Sequence, residues 1–275
     1  MIGDLHCHTR LSDGSMNLDD VIFYAKRAGL DFIAITDHDT MAGVTRAGIV
    51  GKRLGIHVIP GIELSCYDNQ RQRSVHILCY MPKSPDRLEA VCFKTLESRN
   101  ESGQQMIKNV MKYYPITQEH VMRYALGSKA IYKAHIMHAI MDLGYTDKIY
   151  GDLFQTLFNQ KNGSCYVKSV YPDVYEVVQL CRSAGGVVVM AHPGEFDSIE
   201  LLRDMASEGL LDGVELYHHK NTAEDLLKIE EIAEAYHLIK FGGTDFHGFY
   251  RPQPNPIGTN ITPQESLDRL FKLKK

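Results

Sequence analysis

The 275-residue chain has no apolar run approaching the roughly 20 residues a membrane-spanning helix needs, which argues against a transmembrane anchor. Its start, MIGDLHCH, has neither the basic nor the apolar region of a secretion signal. No CxxC pair occurs among the six cysteines at 7, 66, 79, 92, 165 and 181. In a chain of this size such scatter reads as reduced core residues rather than a disulfide framework. There is no excess of positive charge either: 30 Lys and Arg face 34 Asp and Glu, a net of −4, so no general affinity for nucleic acid or anionic membrane is expected. Internal repeats and low-complexity tracts are absent. What remains, 44% hydrophobic and 23% charged residues, describes a cytoplasmic globular protein with no membrane and no stable protein partner. It is large enough for one core, or one core with a smaller inserted lobe.

Short apolar segments at 2–7, 31–36, 56–65, 74–80, 186–191, 212–217 and 237–242 read as strands. Amphipathic helical patterns lie between them at about 18–28, 42–54, 172–184, 198–208, 222–236 and 264–274. Strands alternating with helices predict a parallel sheet with crossover connections. About seven of them favour a closed or nearly closed (β/α) barrel over an open sheet. The stretch from 86 to 165 breaks the alternation and reads as helices at 87–112, 117–126, 130–143 and 150–160. Nine Lys and Arg against six Asp and Glu over residues 90–165 make it +3, leaving −7 for the rest of the −4 chain. A mildly basic helical insertion in a barrel loop reads as a lid or substrate-recognition lobe, with a packing decoration as the alternative. The expected division is therefore a barrel of residues 1–85 and 166–275 with an insertion at 86–165.

Barrel enzymes place their chemistry just past the C-terminal ends of the strands. In DLHCHTRLSDGS, His6 and His8 are two residues apart, so they share one face of the first strand while Cys7 faces the core. Asp13 follows them. The second strand runs into Asp37, His38 and Asp39, the third carries Glu63, and the fourth carries His76. The fifth ends at His192 in Ala-His-Pro-Gly, and the seventh at Asp245 and His247, again two apart. Neutral imidazoles and carboxylates converging on one rim suit divalent zinc, manganese or iron.

The ordered set DLHCHTRLSDG, AITDHDT, PGIELS, VHIL, AHPG and GTDFHG resembles the polymerase and histidinol phosphatase (PHP) family of metal-dependent phosphoesterases, over essentially the whole chain. The resemblance implies a distorted (β/α)7 TIM-like barrel with two to three divalent ions. One ion would be held by His6, His8, Glu63 and Asp245, and a second by Glu63, His76 and His192. A third would be held by Asp13, His38 and His247. A hydroxide bridging the ions would attack phosphorus, in a pocket kept positive inside an acidic protein. Asp37 and Asp39 are expected to orient ligand histidines. His218 and His219, after the sixth strand, are candidates near the rim, an exposed pair without a role being the alternative.

The length and the placing of the insertion look most like the branch that removes the 3′-phosphate of nucleoside 3′,5′-bisphosphates, some members of which also trim short RNA from the 5′ end. GSKAIYKAHIMHAIMDLGY at 127–145 is similar to that branch's insertion. Lys129, Lys133 and His135 are its candidates for gripping the uncleaved phosphate, with solvated helix residues as the alternative. Lys133 stands where an arginine is expected, and lysine cannot reproduce the bidentate fork. Two other functions compete with this one: histidinol-phosphate phosphatase, and a degenerate structural or binding module, which usually loses ligands that this chain keeps.

Overall fold

The computed structural model describes every residue except Pro252, Pro254 and Lys275. Seven strands form one sheet in chain order: β1 (Gly3–Cys7), β2 (Phe32–Ile35), β3 (His57–Asp68), β4 (Arg73–Tyr80), β5 (Val187–Met190), β6 (Gly213–Tyr217) and β7 (Ile239–Gly242). The last strand returns to the first. Cys7 bridges Phe246 in parallel, and the amide of His8 donates to the carbonyl of Phe246 at 2.8 Å. The result is a nearly closed barrel, as expected from the strand count.

The expectation of an all-parallel sheet is corrected by β4, which runs antiparallel to both β3 and β5. Only residues 69–72 separate β3 from β4, too few for a crossover and enough for a hairpin. Asp68 pins that turn by accepting from the amides of Gln70 and Arg71 at 2.9 and 3.1 Å. The remaining neighbours, β1–β2–β3 and β5–β6–β7, are parallel.

Helices α1 (Leu18–Arg27) and α2 (Val44–Leu54) cover the first strands. The long connection from β4 to β5 carries α3 (Glu89–Val110), α4 (Gln118–Tyr124), α5 (Lys133–Asp142), α6 (Asp152–Phe158) and α7 (Val174–Ser183). Helices α8 (Ile199–Ser207), α9 (Ala223–Ala235) and α10 (Gln264–Lys272) complete the outer layer. Among the described residues no helix is long and apolar enough to cross a membrane.

The barrel lumen is filled by Leu5, Ala34, Leu78, Tyr80, Val189 and Phe241, all buried. A second layer between strands and helices joins Ile62, Leu64, Ile77, Val188 and Val214 to Val177, Leu201 and Ile229. A further cluster lies among α3, α4, α5 and α6, with Met106, Ile107, Val110, Ile136, Met137, Ile140 and Phe158 at its centre and Tyr250 joining it from past β7. All six cysteines are buried and unpaired. With the lower half of the barrel packed solid, the open space lies above the strand ends, under the insertion.

Candidate metal centre

Glu63 is the hub of that space. Its Oε2 lies 3.1 Å from the Nε2 atoms of both His6 and His8 and 3.2 Å from Nδ1 of His38. Its Oε1 lies 2.9 Å from Nδ1 of His76 and 3.0 Å from Nε2 of His192. Asp245 Oδ1 approaches Nε2 of His8 at 3.2 Å, and Asp13 Oδ1 approaches Nε2 of His247 at 3.2 Å. Side chains from β1, β2, β3, β4, β5 and β7 thus meet at one point. Two of these positions, His192 at φ 23° and Asp245 at φ 53°, take left-handed backbone without being glycine, and so does Asp39, next to His38, at φ 56°. Such strain persists where the surrounding structure holds it in place for a site.

Apart from the contact of His192 Nε2 with Glu63 Oε1, these short distances are not properly directed hydrogen bonds. His6 Nε2, His8 Nε2, Asp13 Oδ1, His38 Nδ1, Glu63 Oε2 and His76 Nδ1 are buried, yet none has a properly directed partner among the described residues. Buried polar atoms are nearly always satisfied, so six orphans facing one another mark a cavity shaped for something else. Within it, five ligand groups each lie inside 4.8 Å: His6, His8 and Glu63; His38, Glu63 and His76; His8, Asp13, His38 and His247; His6, His192 and Glu215; and His192, Glu195 and Asp245. Charge points the same way. Burial opposes protonation of His8 and His192, but the carboxylates beside them, Asp245 and Glu63 for the first and Glu63 and Glu195 for the second, outweigh it and push both pKa values up to about 9. The carboxylates demand positive charge, and divalent ions held by imidazole and carboxylate fit that demand.

Supporting contacts extend outward. Asp37 accepts from the amide and hydroxyl of Thr9 at 2.7 and 2.8 Å and from Ser12 at 2.6 Å. Ser12 in turn lies 3.5 Å from His8 Nδ1, so Asp37 reaches His8 through a hydroxyl. Asp39 touches no histidine: it accepts from the amide and hydroxyl of Ser65 at 2.9 and 3.0 Å and from Arg99 at 3.2 Å. The residue that holds His6 is Glu215, whose Oε1 lies 3.0 Å from its Nδ1 and whose Oε2 accepts from the amide of His192 at 3.0 Å. Sequence reading missed Glu215, although a carboxylate inside the apolar strand Gly-Val-Glu-Leu-Tyr is a usable signal. It also missed Arg251, which binds the carboxylate of Asp245 and donates to its carbonyl at 2.7 Å.

The outlying candidates divide. His218 is not exposed: it is buried, with Nε2 3.6 Å from Asp245 Oδ2, whereas His219 is exposed beside Asn255. Above the centre opens a cavity of about 1030 Å³, lined by Arg99, Tyr132, Lys133, Tyr166, Lys168 and Lys220 among others. Lys133 lies 4.7 Å from the Tyr166 ring, and burial, then the charge of Arg99, pulls its pKa down to about 8. Lys129 is exposed and does not line the cavity. His135 does not reach it either. Its Nδ1 accepts the amide of Tyr132 at 3.2 Å and caps α5, and burial lowers its pKa to about 4.

A nearly closed seven-stranded barrel with a polyhistidine, polycarboxylate nest at its mouth defines a metal-dependent hydrolase. The PHP domain model matches residues 4–240, and the chain belongs to that family. It is 37% identical over 258 residues to the phosphoribosyl 1,2-cyclic phosphate 1,2-diphosphodiesterase of Eggerthella lenta, covering 93% of this chain and 97% of that one. The 3′,5′-nucleoside bisphosphate phosphatase of Chromobacterium violaceum is 28% identical over 272 residues, covering 96% and 92%. A proposed metal-dependent phosphoesterase from Bifidobacterium adolescentis superposes with a TM-score of 0.91 at 30% identity, covering 98% of this chain and 96% of that one. The protein is a metal-dependent phosphoesterase.

Proposed function

We propose that the chain hydrolyses a phosphoester on the ring of a small ribose phosphate that carries a second phosphate, the leading candidate being a phosphoribosyl 1,2-cyclic phosphate. The observation that carries the site is the nest of unpartnered buried ring nitrogens around Glu63, under a cavity lined by basic residues. The choice of sugar follows the 37% identity to the Eggerthella lenta enzyme over nearly the full length of both chains. Lysine at 133, where the bisphosphatase branch is expected to carry arginine, points away from that branch.

His6, His8, Glu63 and Asp245 would hold one divalent ion, Glu63, His76 and His192 a second, and Asp13, His38 and His247 a third, with manganese, zinc or iron all compatible with these donors. Bound there, such ions acidify water and neutralise phosphoryl oxygens. Glu215 holds His6 by its Nδ1, which leaves Nε2 turned toward the centre. Asp37 fixes the loop at Thr9 and Ser12 that carries Asp13. Lys133, in the cavity wall, binds the phosphate that is not cleaved. The neighbouring Tyr166 ring offers its face to the ammonium and holds it in the wall. His218, buried beside Asp245, lies near the leaving oxygen.

A second reading, removal of the 3′-phosphate from a nucleoside 3′,5′-bisphosphate, is favoured by the Chromobacterium violaceum relative. A hydrolysis panel with manganese, read by phosphorus NMR and chromatography of the products so that ring opening, nucleotide release and free phosphate are each scored, separates the two. It compares phosphoribosyl 1,2-cyclic phosphate, adenosine 3′,5′-bisphosphate, short 5′-phosphorylated RNA and histidinol phosphate. The highest kcat/KM on the cyclic ester is expected. Preference for the bisphosphate moves the assignment to the second reading, and preference for histidinol phosphate or RNA refutes both.

A further inference from the structure

Two buried donors contributed by the insertion are left unused by the metal centre. Arg99 rises from α3 into the barrel mouth, where its Nη2 donates to Ser65 at 2.8 Å and to Asp39 at 3.2 Å. Its guanidinium carbon lies 4.6 Å from the ring centre of Tyr132 and 5.2 Å from that of Tyr171. The Nε of Arg99 is buried with no hydrogen-bond partner among the described residues, and so is the hydroxyl of Tyr132. Both residues line the cavity, and the Tyr132 ring stacks 6.2 Å from that of His38. Removing a guanidinium from water costs several kcal/mol unless its donors are filled. Asp39, moreover, already accepts twice from Ser65. Two orphan donors side by side, at the edge of the nest, have one natural complement. It is an anion with several acceptor oxygens and no proton to give.

We propose that Arg99 and the Tyr132 hydroxyl are catalytic residues that grip the non-bridging oxygens of the phosphoryl group undergoing hydrolysis. Asp39 and Ser65 are positioning residues that hold the guanidinium for that purpose. This accounts for the strained backbone of Asp39, whose carboxylate is bonded to Ser65 and Arg99. It also makes the insertion part of the reaction centre rather than a cover, because Arg99 lies on α3 and Tyr132 caps α5. The inference rests on the phosphoesterase reading and is independent of which sugar is taken.

Tyr132→Phe is the cleaner probe, since the lost hydroxyl has no protein partner and its removal leaves nothing unpaired. Arg99→Lys keeps a charge for Asp39 but removes the planar fork. Each variant is loaded with manganese, its metal content and melting temperature are measured, and inorganic phosphate binding is followed by calorimetry. Kinetics use the fastest ester of the panel above. Tyr132→Phe is expected to lower kcat and weaken phosphate binding by about tenfold, with metal content and melting temperature unchanged. Arg99→Lys is expected to lower kcat by about a hundredfold, beyond any rise in KM. Wild-type kcat and phosphate affinity in Tyr132→Phe would overturn the proposal. So would a loss of activity that tracks loss of manganese, which assigns these residues to holding the centre. If the wild type binds phosphate but cleaves no ester in the panel, the substrate reading fails while the calorimetry still decides this one.

Discussion

Replacing Lys133 with methionine should make the protein more stable and a poorer enzyme. Burial, then the positive charge of Arg99, lowers the Lys133 pKa from its ordinary 10.5 to about 8. Between those values the unfolded chain holds a proton that the native state has released, so stability rises with pH across that window. Well below pH 8 the native state carries this part-buried charge. At about 1.36 kcal/mol per unit, the strain at pH 7 is about 3 kcal/mol. Methionine keeps the length and the apolar contacts, and forfeits about 1 kcal/mol of attraction to the Tyr166 ring. The net gain is about 2 kcal/mol at pH 7 and less than about 1 kcal/mol at pH 10. Urea unfolding at the two pH values measures it. Because a charge-assisted contact to phosphate is worth about 1.5–3 kcal/mol, KM should rise tenfold or more. Lys129→Met, at an exposed position outside the cavity, should change neither. A Lys133→Met protein that is less stable at pH 7, or whose gain persists undiminished at pH 10, refutes the reasoning.

Other perturbations reach the centre from outside it. Glu215→Gln should leave the fold intact and weaken metal affinity about 10–100-fold, read by competition with a chromogenic chelator, because His6 loses its charged holder. Gly243→Ala should destabilise by about 1–3 kcal/mol and deplete metal, since a Cβ there would lie 2.2 Å from that of His6 and 2.8 Å from Glu215 Oε1. Calorimetric scanning and metal analysis check both effects together. Chelation should lower the melting temperature reversibly, by an amount equivalent to about 3 kcal/mol for each ion that was present at a hundred times its dissociation constant.

Much of this was legible in the residues themselves. His6 with His8, on and just past β1, announces itself because a strand period of two aims both at one face, whereas Asp245 and His247 share the spacing but lie past β7, with Asp245 in left-handed backbone. The strands were readable because the barrel lumen demands short apolar runs such as Val-Val-Val-Met at β5. What escaped were properties of tertiary packing. The reversal of β4 depends on a four-residue turn between two strands that read alike in either direction. Arg99 looks in sequence like one more solvated charge on a long helix, and only the docking of α3 against β3 buries it beside Asp39 and Ser65. His135 has the spacing of a phosphate ligand and spends its lone pair on the cap of its own helix. Asp37 and Asp39 are twins in sequence, and the left-handed turn at Asp39 sends their carboxylates to different partners.

Anomalous diffraction from crystals grown with manganese tests the central claim most directly. The account predicts manganese peaks inside the cage formed by His6, His8, Asp13, His38, Glu63, His76, His192, Asp245 and His247. A map with no peak there, or with the ions held by other side chains, contradicts it.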